Sequence, residues 1–162
     1  MKAFVLAEPG KVKWFDAPEP QLVPYGAILK PVAVTPCSSD VHTVFGGGSK
    51  KQDNLVLGHE CIAEVVSVGE NVCDFKTGDR VAVPAITPDW REKSIQEGND
   101  RHASAPFSGH QLGRTQPGVF SERFLIKDAD TTLAHIPQKI SEEQASPALT
   151  SCPAETPVFC SF

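Results

Sequence analysis

The alternation of apolar and polar positions through the first half of the chain is that of β-structure. Lys2 to Leu6 and Lys11 to Phe15 are short runs rich in apolar and aromatic residues, and Glu8-Pro9-Gly10 between them is a turn signal. Pro18, Pro20 and Pro24 then mark an extended connection. Ala27 to Thr35 predicts a strand in which Pro31, having no N–H, implies a sheet edge or a bulge. Cys61 to Val68 is strongly apolar and β-branched, and Arg80 to Val83 and Phe120 to Ile126 predict further strands. Ser38 to Phe45 carries a helix-start signature, with Ser38 or Ser39 as N-cap and Asp40 in the first turn.

Residues 84 to 118 break this pattern. Pro84-Ala85-Ile86-Thr87-Pro88-Asp89-Trp90 leads into a polar stretch with no sustained period, a long excursion of the kind that is usually functional or mobile. Further on, Ser141 with Gln144 resembles a capping box opening a helix, and Pro147 limits that helix to little more than one turn. Ser151 to Phe162 has no period at all, and the chain contains no internal repeat.

Composition narrows the class. A chain of 162 residues, 40% of them hydrophobic, predicts one complete domain, since chains of this size bury roughly two-thirds of their unfolded surface. A net charge of −5 argues against a nucleic-acid partner, which needs a basic face for phosphates. No segment approaches the ~20 apolar residues that cross a bilayer, and the apolar run after Met1 is too short for a signal peptide and ends at Glu8. The five cysteines are odd in number, irregularly spaced and without a Cys-x-x-Cys pair. They fit a reducing, cytoplasmic compartment better than a disulfide framework, and they argue against an all-cysteine structural zinc.

The candidate chemistry lies in two segments, Pro36-Cys37 and Gly58-His59-Glu60. A thiolate, an imidazole and a carboxylate are the side chains that bind Zn²⁺ in catalytic sites, which keep a fourth position open. A single cysteine is commonly a small buried hydrophobe, but the flanking pattern makes Cys37 a ligand. Neighbouring residues in a strand face opposite ways, so His59 and Glu60 reach one metal only across a backbone kink, which Gly58 permits. His59 is then a permanent ligand. Glu60 either binds when the water position is vacated or supports the ligands through hydrogen bonds, its bland alternative being a solvated carboxylate. Asp40 and Asp89 are candidate acceptors behind the ligands, Asp89 more as a brace for the long loop. Cys61 and Cys73 are expected in the core, and His102, His110 and His135 as structural or exposed residues.

Up to about residue 145 the chain resembles the zinc-dependent, medium-chain alcohol dehydrogenases. The resemblance rests on Pro36-Cys37-Ser38-Ser39-Asp40-Val41-His42, Gly58-His59-Glu60 with Gly69, and Asp74-Phe75-Lys76-Thr77-Gly78-Asp79-Arg80-Val81. Val83-Pro84-Ala85-Ile86-Thr87-Pro88-Asp89-Trp90 stands where other branches carry a four-cysteine zinc lobe, so the chain is most similar to the secondary-alcohol, usually NADP-linked branch. The resemblance implies a mainly β, GroES-like, partly open barrel with a few short helices over residues 1–147. It implies Zn²⁺ held by Cys37, His59 and Glu60, a proton relay through Ser39 and His42, small alcohol or ketone substrates, NAD(P) as cofactor and a homo-oligomer as an option.

No Gly-x-Gly-x-x-Gly fingerprint is present, and a Rossmann domain would need roughly 150 further residues. The expectation is therefore a catalytic domain without its dinucleotide-binding partner, inactive alone, with residues 148–162 a divergent tail. Three positions depart from the family pattern: Ala63 replaces a usual glycine, His110 a common tryptophan, and Thr150 an aspartate that the branch supplies to zinc. The rival expectation is a non-catalytic assembly module that uses the same fold without a metal.

Overall fold

A computed structural model of the chain describes residues 1–46, 54–87, 93, 97, 110–141, 144 and 145. β1 (Lys2–Glu8) turns at Gly10, whose φ of +77° suits glycine, into β2 (Lys11–Asp16). The two pair antiparallel from Lys2↔Asp16 to Leu6↔Val12, and the short β4 (Leu55–Val56) joins the other edge of β1 to give the order β2-β1-β4. Ala3 and Val5 point inward with Val56, whereas Leu6 joins Val44 and Leu57 in a separate apolar cluster under the helix α1 (Ser38–Phe45).

The second sheet has the order β10-β6-β5-β3-β9, all antiparallel. Its strands are β3 (Ala27–Val34), β5 (Cys61–Val68), β6 (Arg80–Val83), β9 (Phe124–Ile126) and β10 (Ala134–His135). The core gathers Leu29, Val65, Val81, Val83, Phe124 and Ile126, each at most 2% exposed, and each such side chain contributes about 1.5–3 kcal/mol on leaving water. Pro31 sits where the β3–β5 register slips between Pro31 and Ala33. It marks a bulge in an interior strand, because β3 is flanked by both β5 and β9.

Several expectations need correction. The strand expected over Phe120 to Ile126 shortens to Phe124–Ile126. Residues 118–122 instead run as an irregular seam between the sheets, with Gly118 and Phe120 donating to Val56 and Leu57 and Glu122 donating to Lys2, while the Phe120 carbonyl accepts from Phe4. The cap of α1 is Cys37 rather than Ser38 or Ser39. Cys61 is fully buried as expected, but Cys73 is exposed. Its backbone N–H and that of Asp74 donate to the Asp130 carboxylate, which places Cys73 in a solvent-facing turn. The Ser141–Gln144 capping box is present, with reciprocal bonds of 3.0 and 3.3 Å. A one-turn helix, α2 (Ala129–Thr132), and a two-strand pair, β7 (Ile86–Thr87) with β8 (His110–Gln111), complete the described elements. Asp89, His102, Pro147 and the expected tail 148–162, with Thr150, lie outside the described residues.

Candidate metal centre

Two distant segments meet because of the β3–β5 register. Val34 pairs with Cys61, and the Thr35 N–H donates to the Glu60 carbonyl at 3.1 Å, so the exit of β3 lies against the entry of β5. Pro36 then turns the chain, and Cys37 stands immediately before α1. On the facing segment Gly58 adopts φ +87°, and a Cβ there would lie 2.3 Å from the Phe120 ring. Only glycine fits both the angle and the space. The kink it makes lets successive residues point the same way, as the sequence reading required.

The sulfur of Cys37, a ring nitrogen of His59 and a carboxylate oxygen of Glu60 all lie within 4.8 Å of one another. Donors about 2.0–2.3 Å from a tetrahedral Zn²⁺ stand roughly 3–4 Å apart, so this spacing suits one ion. Asp40 fixes the arrangement from behind. Its Oδ2 accepts from the Cys37 backbone N–H at 2.9 Å, and its Oδ1 accepts from the Gly58 N–H at 3.3 Å and pairs with His59 Nδ1 at 3.1 Å. One buried carboxylate thus ties the helix start, the glycine kink and the imidazole together. Because Asp40 occupies Nδ1, the other ring nitrogen, Nε2, faces the cleft; Ser39 Oγ lies 2.9 Å from it.

The electrostatics of the corner are set by these contacts. Burial opposes the charge on Asp40, yet its bond to His59 and the two backbone N–H groups hold its pKa below the usual carboxylate range. The Asp40 hydrogen bond raises the His59 imidazole to about 9. The Cys37 thiol is lowered, first by hydrogen bonding from Ser39 and then by His59. Burial raises Glu60, and its Oε2 is buried without a hydrogen-bond partner. An orphaned carboxylate oxygen beside an acidified thiol is costly in a protein interior unless a cation satisfies both. The residues present fit a zinc ion.

His59, of the three ligands, opens onto a cleft of about 560 Å³ lined also by Ser39, His42, Ile86, Leu112 and Arg114 among others. Ser39 and His42 lie on the exposed side of α1 and both line this cleft. His135 is exposed and stacks on Phe75 at 4.5 Å, away from the ligands, as expected of a structural residue. Ile86, Leu112 and Arg114 were not marked by the sequence beyond their place in the long excursion. No local pattern singles them out, since the pairing of β7 with β8 brings them to the cleft.

An antiparallel β domain with a thiol, an imidazole and a carboxylate converging beside a cleft defines a candidate metal-site domain. The alcohol dehydrogenase GroES-like domain family matches residues 24–138, and the chain belongs to that family. Over 145 residues it is 48% identical to the NADP-dependent isopropanol dehydrogenase of Thermoanaerobacter brockii, covering 90% of this chain and 41% of that protein. The corresponding enzyme of Clostridium beijerinckii is 43% identical with the same coverage, 90% and 41%. Among solved structures, zinc dependent alcohol dehydrogenase 2 from Streptococcus pneumonia superposes with a TM-score of 0.77 at 30% identity, over 92% of this chain and 41% of that one. The chain spans about two fifths of the length of the curated relatives it matches. Among the described residues no helix is long and apolar enough to cross a membrane.

Proposed function

We propose that residues 1–147 are the zinc-binding catalytic domain of an NADP-dependent alcohol dehydrogenase acting on small alcohols and ketones in the cytoplasm. The observation that carries this reading is the convergence of Cys37, His59 and Glu60 around the unpartnered Glu60 Oε2. Zn²⁺ bound there supplies a Lewis acid that lowers the pKa of an alcohol oxygen. The chain's own residues do the rest. Asp40 holds Nε2 of His59 toward the ion and keeps the ring from rotating. Ser39 Oγ accepts the alcohol proton and hands its own to His42, which releases it to solvent along the exposed face of α1. The apolar wall at Ala85, Ile86 and Leu112 excludes water from the carbon that loses hydride. NADP, bound outside residues 1–147 and in an oligomeric assembly on this reading, accepts that hydride.

Elemental analysis of the purified chain tests the reading. Wild type carries about one zinc per chain, as a single site of this type holds one ion, and Cys37→Ala or His59→Ala lowers zinc affinity by at least about 100-fold. A metal-free wild type refolded with excess zinc would leave only a β-domain without catalytic chemistry.

A further inference from the structure

Resting on that reading of the metal centre, we propose that Arg114 makes this cleft selective for alcohols and ketones that carry a carboxylate. The guanidinium pairs with the carboxylate while the hydroxyl or carbonyl end of the same molecule faces Cys37 and His59.

Arg114 is held in place by a tight, locally bonded turn. The backbone N–H groups of Arg114, Thr115 and Gln116 all donate to the Gln111 carbonyl at 3.0–3.2 Å, and Gly113 N–H donates to Gln116 at 3.0 Å. Thr115 Oγ1 closes the turn by accepting from the Gln111 N–H at 2.8 Å. The turn is docked on the same glycine that aims His59. A Cβ on Gly113 would lie 2.9 Å from the Gly58 carbonyl oxygen, and one on Gly118 would lie 2.2 Å from it. Three glycines therefore bring backbone against backbone, and the Val119 N–H donates to Gly58 at 3.0 Å across the contact. Arg114 and the imidazole consequently sit on one rigid assembly rather than on independent loops.

The lining decides which ligand such an arrangement takes. The chain as a whole carries −5, yet no Asp or Glu is among the described residues that line the cleft. The carboxylates of the site, Asp40 and Glu60, are buried and committed to the ligand cluster. The Arg114 side chain is exposed to the cleft, and its guanidinium has no hydrogen bond or ion pair among the described residues. Among the described residues this is a guanidinium without a partner on a lining without acids, and such a cation concentrates field lines on an incoming anion. The guanidinium fork matches the two oxygens of a carboxylate. Ala85, Ile86 and Leu112 line the same cleft as Arg114 and His59 and give it an apolar surface suited to an alkyl linker. The volume of about 560 Å³ leaves space for such a molecule, being well inside the range of roughly 300–1,000 Å³ that small-molecule sites occupy.

The test compares 4-oxopentanoate with 2-pentanone, ketones that differ by the acid group, by calorimetric or ligand-observed NMR titration of the zinc-loaded full chain at low salt. Wild type binds the keto acid about tenfold more tightly, the effect of one charge-assisted pair. Arg114→Gln abolishes that preference and leaves 2-pentanone binding unchanged, and Arg114→Lys retains part of it. Equal affinities in wild type, or the same preference in Arg114→Gln, would overturn the proposal. A parallel titration with adenosine 2′,5′-bisphosphate separates a substrate acid from a coenzyme phosphate. If Arg114→Gln weakens only the nucleotide, the selectivity assigned here is wrong. The zinc content of the same samples keeps the two readings apart. A metal-poor chain that still prefers the keto acid through Arg114 defeats the catalytic reading alone, whereas a zinc-replete chain without preference defeats only this one.

Discussion

Cys37 and Cys61 stand on adjoining segments, since Val34 of β3 pairs with Cys61 of β5, yet their surroundings are opposite. Cys61 is fully buried in the interior of the larger sheet, where burial pushes its thiol up to about 12. Cys37 is half-buried at the corner beyond the sheet, where Ser39 and His59 lower its thiol. The interior suppresses charge by excluding water, and the corner supports charge by offering hydrogen bonds. The two regions meet within a few residues because the ladder ends where Gly58 bends the chain.

Thiol labelling tests that contrast with the largest expected effect. In chelator at pH 8, iodoacetamide modifies Cys37 at least about 1,000-fold faster than Cys61, because only the thiolate reacts. Added zinc protects Cys37, and Cys61 becomes reactive only on unfolding. Comparable rates in the folded chain, read by peptide mass spectrometry, would erase the distinction.

Truncating the interior comes next. Phe124 is 2% exposed in the core cluster, so Phe124→Ala costs about 3–5 kcal/mol in denaturant unfolding. The folded fraction of that variant retains wild-type zinc affinity, because Phe124 is not part of the ligand cluster. A proportionate loss of zinc affinity would mean that the two regions are one unit.

Gly58→Ala acts on the hinge between them. A residue with a side chain at φ +87° costs about 1–3 kcal/mol from the backbone alone, and its Cβ meets the Phe120 ring. Unlike Phe124→Ala, it lowers stability and zinc affinity together, which thermal unfolding with and without metal separates. The smallest effect belongs to Asp40→Asn. Loss of the carboxylate behind His59 lowers zinc affinity about 10- to 100-fold by competition against a chelating dye, and the fold of the sheet is unchanged.

The sequence was most legible where alternation runs long. Cys61–Val68 and Arg80–Val83 have the boundaries that their apolar, β-branched character predicts. The two-residue strands β4, β7, β8 and β10 were not foreseen, since two residues cannot display a period. Phe120 looked like a strand start because it is aromatic and apolar, but its backbone is taken by Leu57 and Phe4, segments nearly anywhere else in the chain. Local propensity likewise favoured a serine cap on α1, but Asp40 at the third helical position accepts from the Cys37 N–H and closes a capping box on Cys37. For the candidate site, residue types and the need for a kink at Gly58 were readable. The threefold bonding of Asp40 and the position of Arg114 were not, because both depend on which distant segments touch.

Residues 88–109 lie in the chain between β7 and β8. β7 and β8 pair at Ile86↔Gln111 and Thr87↔His110, so this stretch departs from and returns to nearly the same point. A chain closed at its base in this way can be lengthened cheaply, since each doubling of a loop adds only about 0.6 kcal/mol of closure entropy. The pair closes that stretch at its base, on residues that also line the cleft beside His59. Lengthening there therefore costs little closure entropy, and its effect on the site is transmitted through Ile86 and Gln111.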